Sequence, residues 1–505
     1  MDDGIHPPLD SLLETHPSFL IATVAGDVPQ FSETPYAFAR TPDALSLAYA
    51  IPEGSAAHRA LRRQNSIAFR IGTSENTTWL EGSGRAVIVH DRAVNADLLQ
   101  QIGARSADEP KPEPRTHRAV RIVPETVTVA IWRDGTFHMQ PLIFAPSAQR
   151  WGYPGSTVNE RFELFAAVTR ANVVPVMAMP VSIGAALAWQ REGVFRPLPF
   201  ALTLVGAVAA HLASNVTNDI FDFRSGADER AIAMAAEGTL DTSSGALTGG
   251  ILSERQANLL AAGLWGTALL CGVGLTKTSG PAVLGLAAAG FGFGTLYVAP
   301  PLAYGYIGHG LGEVGILASF GLLPTLGSYY AQTGKLAWPP VIAALPPGLF
   351  TTDVLLNHHF FHWRSDKAAA KMTPVAVLGE EKAARLSRGM VIAAGVSVLI
   401  GIAAKVYPKI AFASLSTIAP VLEKLGNVGE GNKGAAFYGE MMDRTVTGSS
   451  RMGLYLLGSL ILSGLWSKLR GEKRFTANGD NQGCHSSKPN MHTTSPSALA
   501  SKTSQ

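Results

Sequence analysis

The distribution of apolar residues divides the chain into two unlike parts. Residues 1–145 alternate short apolar and polar stretches, as water-soluble domains do. From about residue 172 the chain becomes a series of long apolar runs, most of them close to the roughly 20 residues that a helix needs to cross a bilayer. These runs are rich in Gly and Ala, which is typical of close-packed membrane helices. We count nine candidate spans, at 172–190, 197–217, 257–275, 280–299, 311–331, 339–361, 388–404, 407–422 and 452–467.

Short β-type runs separated by turn residues fill the first part. They predict a mostly antiparallel barrel with two small helices. The strands are expected at 18–25, 33–39, 44–51, 66–71, 79–89 and 127–132, and the helices at 56–64 and 94–102. The whole chain is therefore predicted to have two domains, an N-terminal antiparallel β barrel and an all-α bundle of about nine transmembrane helices. The expected boundaries are 1–145 for the barrel, 146–164 for a linker, 165–470 for the membrane domain and 471–505 for a polar, disordered tail.

Composition narrows the classes of function. Charged residues make up 16% of the 505 residues, against about 25% in soluble domains. The net charge of +3 is too small to indicate a nucleic-acid partner. Two cysteines, Cys271 and Cys484, cannot build a disulfide framework or a cysteine-rich zinc site. The first residues, MDDGIHPPLDSLLE, lack the basic-then-apolar pattern of a signal peptide, so none is expected.

The loops allow an orientation to be predicted. Basic residues concentrate in 223–256, 362–388 and 423–451. Nine spans and a cytoplasmic N-terminus put all three loops inside, as the positive-inside rule expects. The basic residues after 467 do not follow the positive-inside rule in this orientation, because nine spans put them outside. Eight spans would put them inside, but would move the loop at 423–451 if 407–422 were the run removed. We expect a multi-pass protein with its N-terminal domain and active-site loops in the cytoplasm.

The richest cluster of polar residues closes the second apolar run, in HLASNVTNDIFDFRSGAD at 211–228. Asn218 and Asp222 are four residues apart and share a helix face, with Asp219 on much the same side. Clustered hard oxygen ligands suit Mg²⁺, which prefers carboxylates together with phosphate oxygens of a substrate. Ionisable residues at membrane depth are functional candidates by default. The cluster comprises Asn215, Asn218, Asp219, Asp222 and Asp228.

This cluster resembles the first aspartate-rich motif of the UbiA superfamily of intramembrane prenyltransferases. Its form, N-x-x-N-D-x-x-D-F-x-x-G-x-D, is most similar to the 1,4-dihydroxy-2-naphthoate prenyltransferase branch. Arg170 precedes the first span where the family usually shows Arg-Pro. The stretch YVAPPLAYGYIGHGLGEV at 297–314 also resembles the family. The resemblance extends over about 165–470.

The second aspartate-rich motif of the family has a modified counterpart in HHFFHWRSDKAAAKMTPVAVLG, at 358–379. Asp366, Lys367, Lys371 and Thr373 match the pattern, whereas His362 and His359 stand for the usual aspartate and asparagine. Histidine suits Mg²⁺ less well than carboxylate does. The histidines could change the metal preference, contact the acceptor, supply a base or mark the loss of a second metal.

The resemblance implies a Mg²⁺-dependent membrane enzyme. It would move an isoprenyl group from an allylic diphosphate to an aromatic acceptor similar to a quinone precursor, with the lipid bilayer around it. The implied catalytic residues are Asp219, Asp222, Asp366, Lys367 and Lys371. The implied metal ligands are Asn218, Asp222, Asp228, His362 and Asp366. The implied substrate-binding residues are Arg170, Asn215, Arg224, Tyr297 and Tyr304.

The first part of the chain resembles the pyridoxamine-phosphate-oxidase-like split barrels, over about 10–135. The resemblance lies in the order LIATV, AYAIPEGSAAHRALRRQNSIAFRI and WLEGSGRAVIV. Many members bind FMN and some related barrels bind haem. Ser55 and His58 stand where the family binds the flavin phosphate, which makes FMN a candidate cofactor. The second strand, FSETPYAF, lacks the arginine common in flavin-binding members, so a barrel without cofactor is the alternative.

Two other classes of membrane protein remain as alternatives. A secondary transporter would also have many spans with charges near the midplane, but it would not need two acid-rich motifs at one face. A flavin-binding barrel anchored by a helical domain that has lost prenyl transfer would keep the same pattern of spans. A third class, the CDP-alcohol phosphotransferases, would show the motif D-x-x-D-G. That motif is absent, because Phe223 rather than glycine follows Asp222.

Overall fold

The computed structural model describes ten stretches of the chain. The predicted tail at 471–505 and residues 146–157 of the predicted linker lie outside them. The described residues are 6–25, 28–41, 44–62, 64–72, 77–105, 110–133, 135–142, 158–234, 244–428 and 434–470.

The N-terminal part is an antiparallel barrel, as predicted. Its sheet order is β3-β2-β1-β4-β5-β6-β7, and a further pairing between β3 and β6 closes six strands into a ring with β7 outside it. The closure is in register, with Leu47 on β3 opposite Ile122 on β6. The strands are β1 Ser18–Ala25, β2 Val28–Thr41, β3 Ala44–Pro52, β4 Ser66–Ile71, β5 Thr78–Ile88, β6 His117–Arg133 and β7 Thr136–Leu142.

Alternate side chains of these strands fill the barrel interior. Phe19, Tyr36, Leu47 and Leu80 are almost fully buried there, because successive residues of a strand point to opposite faces. Three helices accompany the barrel: α1 His6–Thr15, α2 Ala56–Leu61 and α3 Arg92–Arg105. The sequence prediction missed α1 and β7. Prolines in the first turn of α1 are a helix-start signal that would have indicated it.

The second part is a helical bundle. Its helices are α4 Val158–Thr169, α5 Val174–Glu192, α6 Pro197–Ser225, α7 Ala227–Ala233, α8 Glu254–Ser279, α9 Ala282–Leu296, α10 Tyr304–Ile307, α11 Leu311–Leu317, α12 Leu323–Thr333, α13 Pro339–His358, α14 Trp363–Ala368, α15 Pro374–Leu378, α16 Glu380–Ala403, α17 Ala419–Gly426 and α18 Gly434–Leu469. A π-helical stretch, Ala318–Leu322, joins α11 to α12, and 3₁₀ stretches lie at Ala171–Val173, His359–Phe361 and Lys409–Thr417.

All nine predicted runs are helical over most of their length. Seven helical segments are long and apolar enough to cross a membrane: Ala171–Glu192, Pro197–Ser225, Glu254–Ser279, Leu311–Thr333, Pro339–Phe361, Glu380–Ala403 and Ala436–Leu469. The run at 280–299 forms the shorter helix α9, and the run at 407–422 is largely a 3₁₀ helix followed by α17. The predicted multi-pass bundle is confirmed, and the count of nine is approximate.

Close approach between small residues builds the centre of the bundle. Gly184 of α5 lies so near α12 that a Cβ there would come within 2.3 Å of the Thr325 carbonyl oxygen and 2.9 Å of the Ser328 Cβ. Among the seven candidate spans, the one containing α13 is the most enclosed, with 67% of its apolar stretch buried. Membrane helices associate through such van der Waals contacts, because lipid tails are as apolar as the side chains and the hydrophobic effect therefore does not drive the helices together.

The barrel packs against one connection of the bundle. This α6–α8 connection, residues 226–253, carries α7. Asn65 at the start of β4 donates its side-chain N–H to the Gly250 carbonyl oxygen over 2.7 Å. His90, just after β5, packs its ring edge-on against Phe223 of α6 at 4.8 Å between centroids. The barrel therefore lies at the membrane face where α6 ends and α8 begins.

We expect Gly184→Ala to destabilise the bundle by about 1–3 kcal/mol, because overpacking forces α5 and α12 apart. Thermal unfolding of the purified protein in detergent measures the change. Gly263→Ala in α8 is the matched control, since a Cβ there meets nothing within 4 Å. Equal melting temperatures for the two variants would show that the close contact does not contribute to stability.

Candidate active site

The first motif occupies the last three turns of α6. The helix ends at Gly226, which takes the left-handed conformation with φ 79°, as glycines after helices commonly do. The Asn218 side-chain amide donates to Asp222 over 2.9 Å, as their spacing of four residues predicts. Asp222 is 7% exposed. The sequence thus places a carboxylate and an amide together at the end of a membrane-spanning helix.

The second motif begins where α13 gives way to a 3₁₀ turn and then to α14. Asp366, in α14, is 5% exposed and accepts from the Thr373 hydroxyl over 3.1 Å. The His362 Nδ1 lies 3.1 Å from the same carboxylate oxygen, and its Nε2 lies 3.2 Å from the His358 Nδ1. The histidine and the threonine therefore orient Asp366 from two sides.

Lys371 joins the two motifs. Its ammonium lies 3.8 Å from Asp222 and 4.8 Å from the centre of the Tyr306 ring. Burial alone would lower the pKa of Lys371, but Asp222 and Asp366 outweigh burial and hold the pKa above its usual range. His362 and Lys371 in turn keep the pKa of Asp366 below its usual range despite burial. The raised pKa keeps the Lys371 ammonium charged beside Asp222.

A single cavity of about 970 Å³ contains most of the predicted site residues. Its other walls are apolar, and include Leu202, Leu275 and Phe291 from α6, α8 and α9. Since α6 rises 1.5 Å per residue, the cavity extends about 30 Å from Asp222 to Leu202. The predicted residues that line it are Arg170, Asn215, Asn218, Asp222, Asp228, Tyr297, Tyr304, His362, Asp366 and Lys371.

The other predicted residues do not line this cavity. Asp219 pairs with Arg170 over 2.6 Å. Arg224 pairs with Glu254 over 2.9 Å, and Lys367 is exposed at the surface. Ser55 and His58 belong to the barrel, where the Ser55 hydroxyl caps α2 by accepting from the His58 backbone N–H over 3.1 Å.

Tyr306 is a site residue that the sequence prediction missed. Its hydroxyl donates to Asp222, and burial together with that carboxylate raises its pKa, so the hydroxyl keeps its proton. His211, one turn before Asn215, also lines the cavity and packs edge-on against Phe320 at 5.2 Å. The repeat Tyr304-Gly305-Tyr306 was the sequence signal that could have indicated Tyr306, but the repeat alone does not show which tyrosine contacts Asp222.

The arrangement suits an amphiphilic ligand with an anionic head. The charged end of the cavity offers Lys371 and Arg170 to an anion and carboxylates to a cation. Carboxylate and amide oxygens are the ligands that Mg²⁺ prefers. Within the described residues, no group of three His, Cys, Asp or Glu side chains could hold a metal alone. Asp222, Asp366 and Asn218 all line the cavity, and such oxygen ligands suit a Mg²⁺ that also takes ligands from a phosphate.

Comparisons with known proteins match the bundle. The model of the UbiA prenyltransferase family matches residues 177–437, just over half of the chain. A 2-carboxy-1,4-naphthoquinone phytyltransferase of Synechocystis sp. is 30% identical over 229 residues, which are 44% of this chain and 69% of that protein. A 1,4-dihydroxy-2-naphthoate octaprenyltransferase of Escherichia coli is 30% identical over 230 residues, 43% of this chain and 68% of that protein.

Solved structures are similar to each part of the chain. A UbiA homologue from Archaeoglobus fulgidus, bound to GPP and Mg²⁺, is 12% identical with a TM-score of 0.43 and covers 59% of this chain and 99% of its own. A Clostridium acetobutylicum protein of the pyridoxinephosphate oxidase family, related to general stress protein 26, is 14% identical with a TM-score of 0.23. It covers 28% of this chain and 97% of its own.

We expect Arg170→Ala to destabilise the protein by about 2 kcal/mol, because it leaves the buried Asp219 carboxylate without its partner. The side chain of Arg170 is 26% exposed, which keeps the cost below that of a fully buried pair. The double variant Arg170→Ala/Asp219→Asn should recover part of the loss, since a neutral amide needs no counter-charge. Thermal unfolding that is the same for the single and double variants would contradict this pairing.

Proposed function

The chain belongs to the UbiA prenyltransferase family, and we propose that it moves an isoprenyl group from an allylic diphosphate to an aromatic acceptor related to quinone precursors. It is a prenyltransferase of the membrane, and its likeness to the naphthoate and naphthoquinone enzymes agrees with the branch that the sequence predicted. One observation carries the proposal. Asp222 lies 3.8 Å from Lys371, and both residues line the charged end of a long apolar cavity together with Asp366.

We infer that the charged end binds the diphosphate with Mg²⁺. Asp222, Asp228, Asp366 and Asn218 line the cavity and would hold the metal, with His362 beside Asp366. Bound there, Mg²⁺ would neutralise the diphosphate as a Lewis acid. The ligand set agrees with the coordination preference of Mg²⁺, which is usually bound by one or two carboxylates together with substrate phosphates.

The cations of the chain assist the leaving group. Breaking the allylic C–O bond transfers an electron pair to the diphosphate, which leaves an allylic carbocation. Lys371 is buried and permanently charged, and Arg170 lines the same end of the cavity. Pre-oriented charges in a site without water stabilise developing charge far better than solvent does. We propose that these two residues stabilise the departing diphosphate.

The apolar walls hold the isoprenyl tail and protect the carbocation from water. A cavity about 30 Å long accommodates an extended chain along α6. An electron-rich ring carbon of the acceptor forms the new C–C bond, and the ring then loses a proton. Tyr297 and Tyr304 line the cavity and meet edge-on at 5.4 Å between ring centroids. We propose that they form the wall beside the acceptor.

The place predicted for FMN is partly occupied by ion pairs of the protein itself. Among the described residues near Ser55 and His58, two arginines pair with carboxylates. Arg62 donates to Glu254 over 2.8 Å and 3.1 Å, and Arg118 donates to Glu53 over 3.0 Å. A flavin phosphate that used Arg62 would compete with Glu254, a residue of the membrane domain. We derive no step through a flavin, and FMN stays a prediction from resemblance alone.

We propose that the barrel and the charged end of the cavity face the cytoplasm. The barrel contacts the α6–α8 connection, which lies within the basic loop at 223–256. The second motif lies in the basic loop at 362–388. The positive-inside rule assigns such loops to the cytoplasmic side.

Product analysis tests the function. The purified protein in lipid vesicles is given Mg²⁺, an isoprenyl diphosphate and 1,4-dihydroxy-2-naphthoate, and the product is examined by mass spectrometry. The expected mass is that of the acceptor plus the isoprenyl group, less one hydrogen, and less one CO₂ as well where the acceptor loses its carboxyl group. Unchanged acceptor across diphosphates of several chain lengths would contradict the proposal.

We expect Asp222→Asn and Asp366→Asn each to lower turnover by about a thousand-fold, because each removes a carboxylate from the metal-binding end. Both variants should still insert and fold. The matched control is Asp443→Asn, which changes a carboxylate of α18 outside the cavity. Substantial turnover in either motif variant would refute the metal assignment.

The replacement His362→Asp is expected to preserve or raise Mg²⁺-supported turnover, because carboxylate suits Mg²⁺ better than imidazole does. His362→Ala should weaken the dependence on Mg²⁺. Titrations of activity against Mg²⁺ concentration compare the variants. Identical titrations for Ala and Asp would show that His362 does not act near the metal.

A further inference from the structure

The barrel and the bundle are locked together by two buried acidic residues. Asp91 of the barrel is 3% exposed and accepts from the Arg230 Nε of α7 over 2.8 Å. Glu229 of α7 is 2% exposed and accepts from the backbone N–H groups of His90 and Asp91 over 2.8 Å and 2.7 Å. Each domain thus supplies a carboxylate to donors of the other.

The backbones at this junction approach too closely for a side chain. A Cβ on Gly226 would lie 2.3 Å from the Asp91 Cα, and Gly226 also needs its positive φ to end α6. A Cβ on Gly250 would lie 2.5 Å from the Arg85 Cβ. The barrel therefore contacts both ends of the α6–α8 connection.

A second ion pair ties the barrel to the helix of the first motif. Glu254, at the start of α8, accepts from Arg62 of the barrel and from Arg224 of α6. Glu254 is 7% exposed, so both arginines compensate one buried carboxylate. Arg224 lies two residues after Asp222, and the barrel thus supports the end of α6 that carries the metal motif.

Arg230 extends the contact to the second motif. While its Nε and one terminal nitrogen hold Asp91, its other terminal nitrogen donates to the Ala368 carbonyl oxygen over 2.5 Å. Ala368 ends α14, the helix of Asp366. Asp228 of α7, two residues before Arg230, lines the cavity. Helix α7 thus lies between the barrel and both aspartate motifs.

We propose that the barrel is a docking domain that holds α7 against the two aspartate motifs, and that Asp91 is the positioning residue through which it does so. The inference rests on the proposed function for its effect on catalysis. Asp91 touches neither the cavity nor a substrate, and it acts through Arg230. Loss of its charge releases Arg230, and α7 then no longer fixes Asp228 or the end of α14.

Asp91→Asn is the discriminating variant. The Asp91 side chain also caps α3 by accepting from the Ala93 and Val94 backbone N–H groups. Asparagine caps helices as well as aspartate does, so the substitution removes the ion pair and keeps the barrel folded. Asp97→Asn is the matched control, since Asp97 lies on the same helix, is exposed and accepts only from Gln101 among the contacts the structure gives it.

Two measurements on the full chain need no prenyl transfer. In Asp91→Asn, the amide protons of residues 227–234 should exchange about ten-fold faster, because the helix loses a charged hydrogen bond. The affinity for inorganic diphosphate with Mg²⁺, measured by calorimetry, should fall by about ten-fold, within the usual range of coupling between sites. Asp97→Asn should match wild type in both.

Kinetics give the third measurement. The KM for the isoprenyl diphosphate should rise by about ten-fold in Asp91→Asn while kcat stays within about two-fold, since the loss concerns ground-state and transition-state binding alike. Unchanged exchange at 227–234, or faster exchange with unchanged diphosphate affinity, would overturn the inference. If the wild-type protein transfers no isoprenyl group, the proposed function fails, while exchange and calorimetry still decide whether Asp91 positions α7.

Discussion

Charge compensation among carboxylates at the end of a membrane helix is the constraint on which the rest of the site depends. A carboxylate taken out of water needs a counter-charge and hydrogen-bond donors. Asp219 forms an ion pair with Arg170. Asp222 forms an ion pair with Lys371 and accepts hydrogen bonds from Asn218 and Tyr306. These partners come from separate segments of the chain. The need to satisfy the acids therefore draws those segments together and creates the charged end of the cavity.

The sequence predicted what depends on local pattern. Apolar runs locate the spans, and the spacing of Asn218 and Asp222 puts them on one face of α6. The different partners of the neighbouring aspartates in α6 could not be predicted. Asp219 and Asp222 both lie at the end of α6, yet Asp219 faces Arg170 and Asp222 faces the cavity. Only the packing of α4 and α8 against α6 decides which way each points.

The barrel illustrates the same limit at longer range. Alternating residues and turns predicted its strands, since both are local signals. The basic residues after Ser55 suggested a phosphate, but Arg62 binds the carboxylate of Glu254, 192 residues further along the chain. No local pattern encodes a partner that distant. A cluster of cations indicates that an anion binds there, and the fold determines whether that anion is a ligand or a side chain.

The junction at Gly226 has a consequence for how the protein is made. Strand β7 ends at Leu142, before the first span has been synthesised, and domains generally fold as units beginning with the N-terminal one. The α6–α8 connection leaves the ribosome later. In that order of synthesis, the barrel surface that receives Gly226 can form before the second motif has been made.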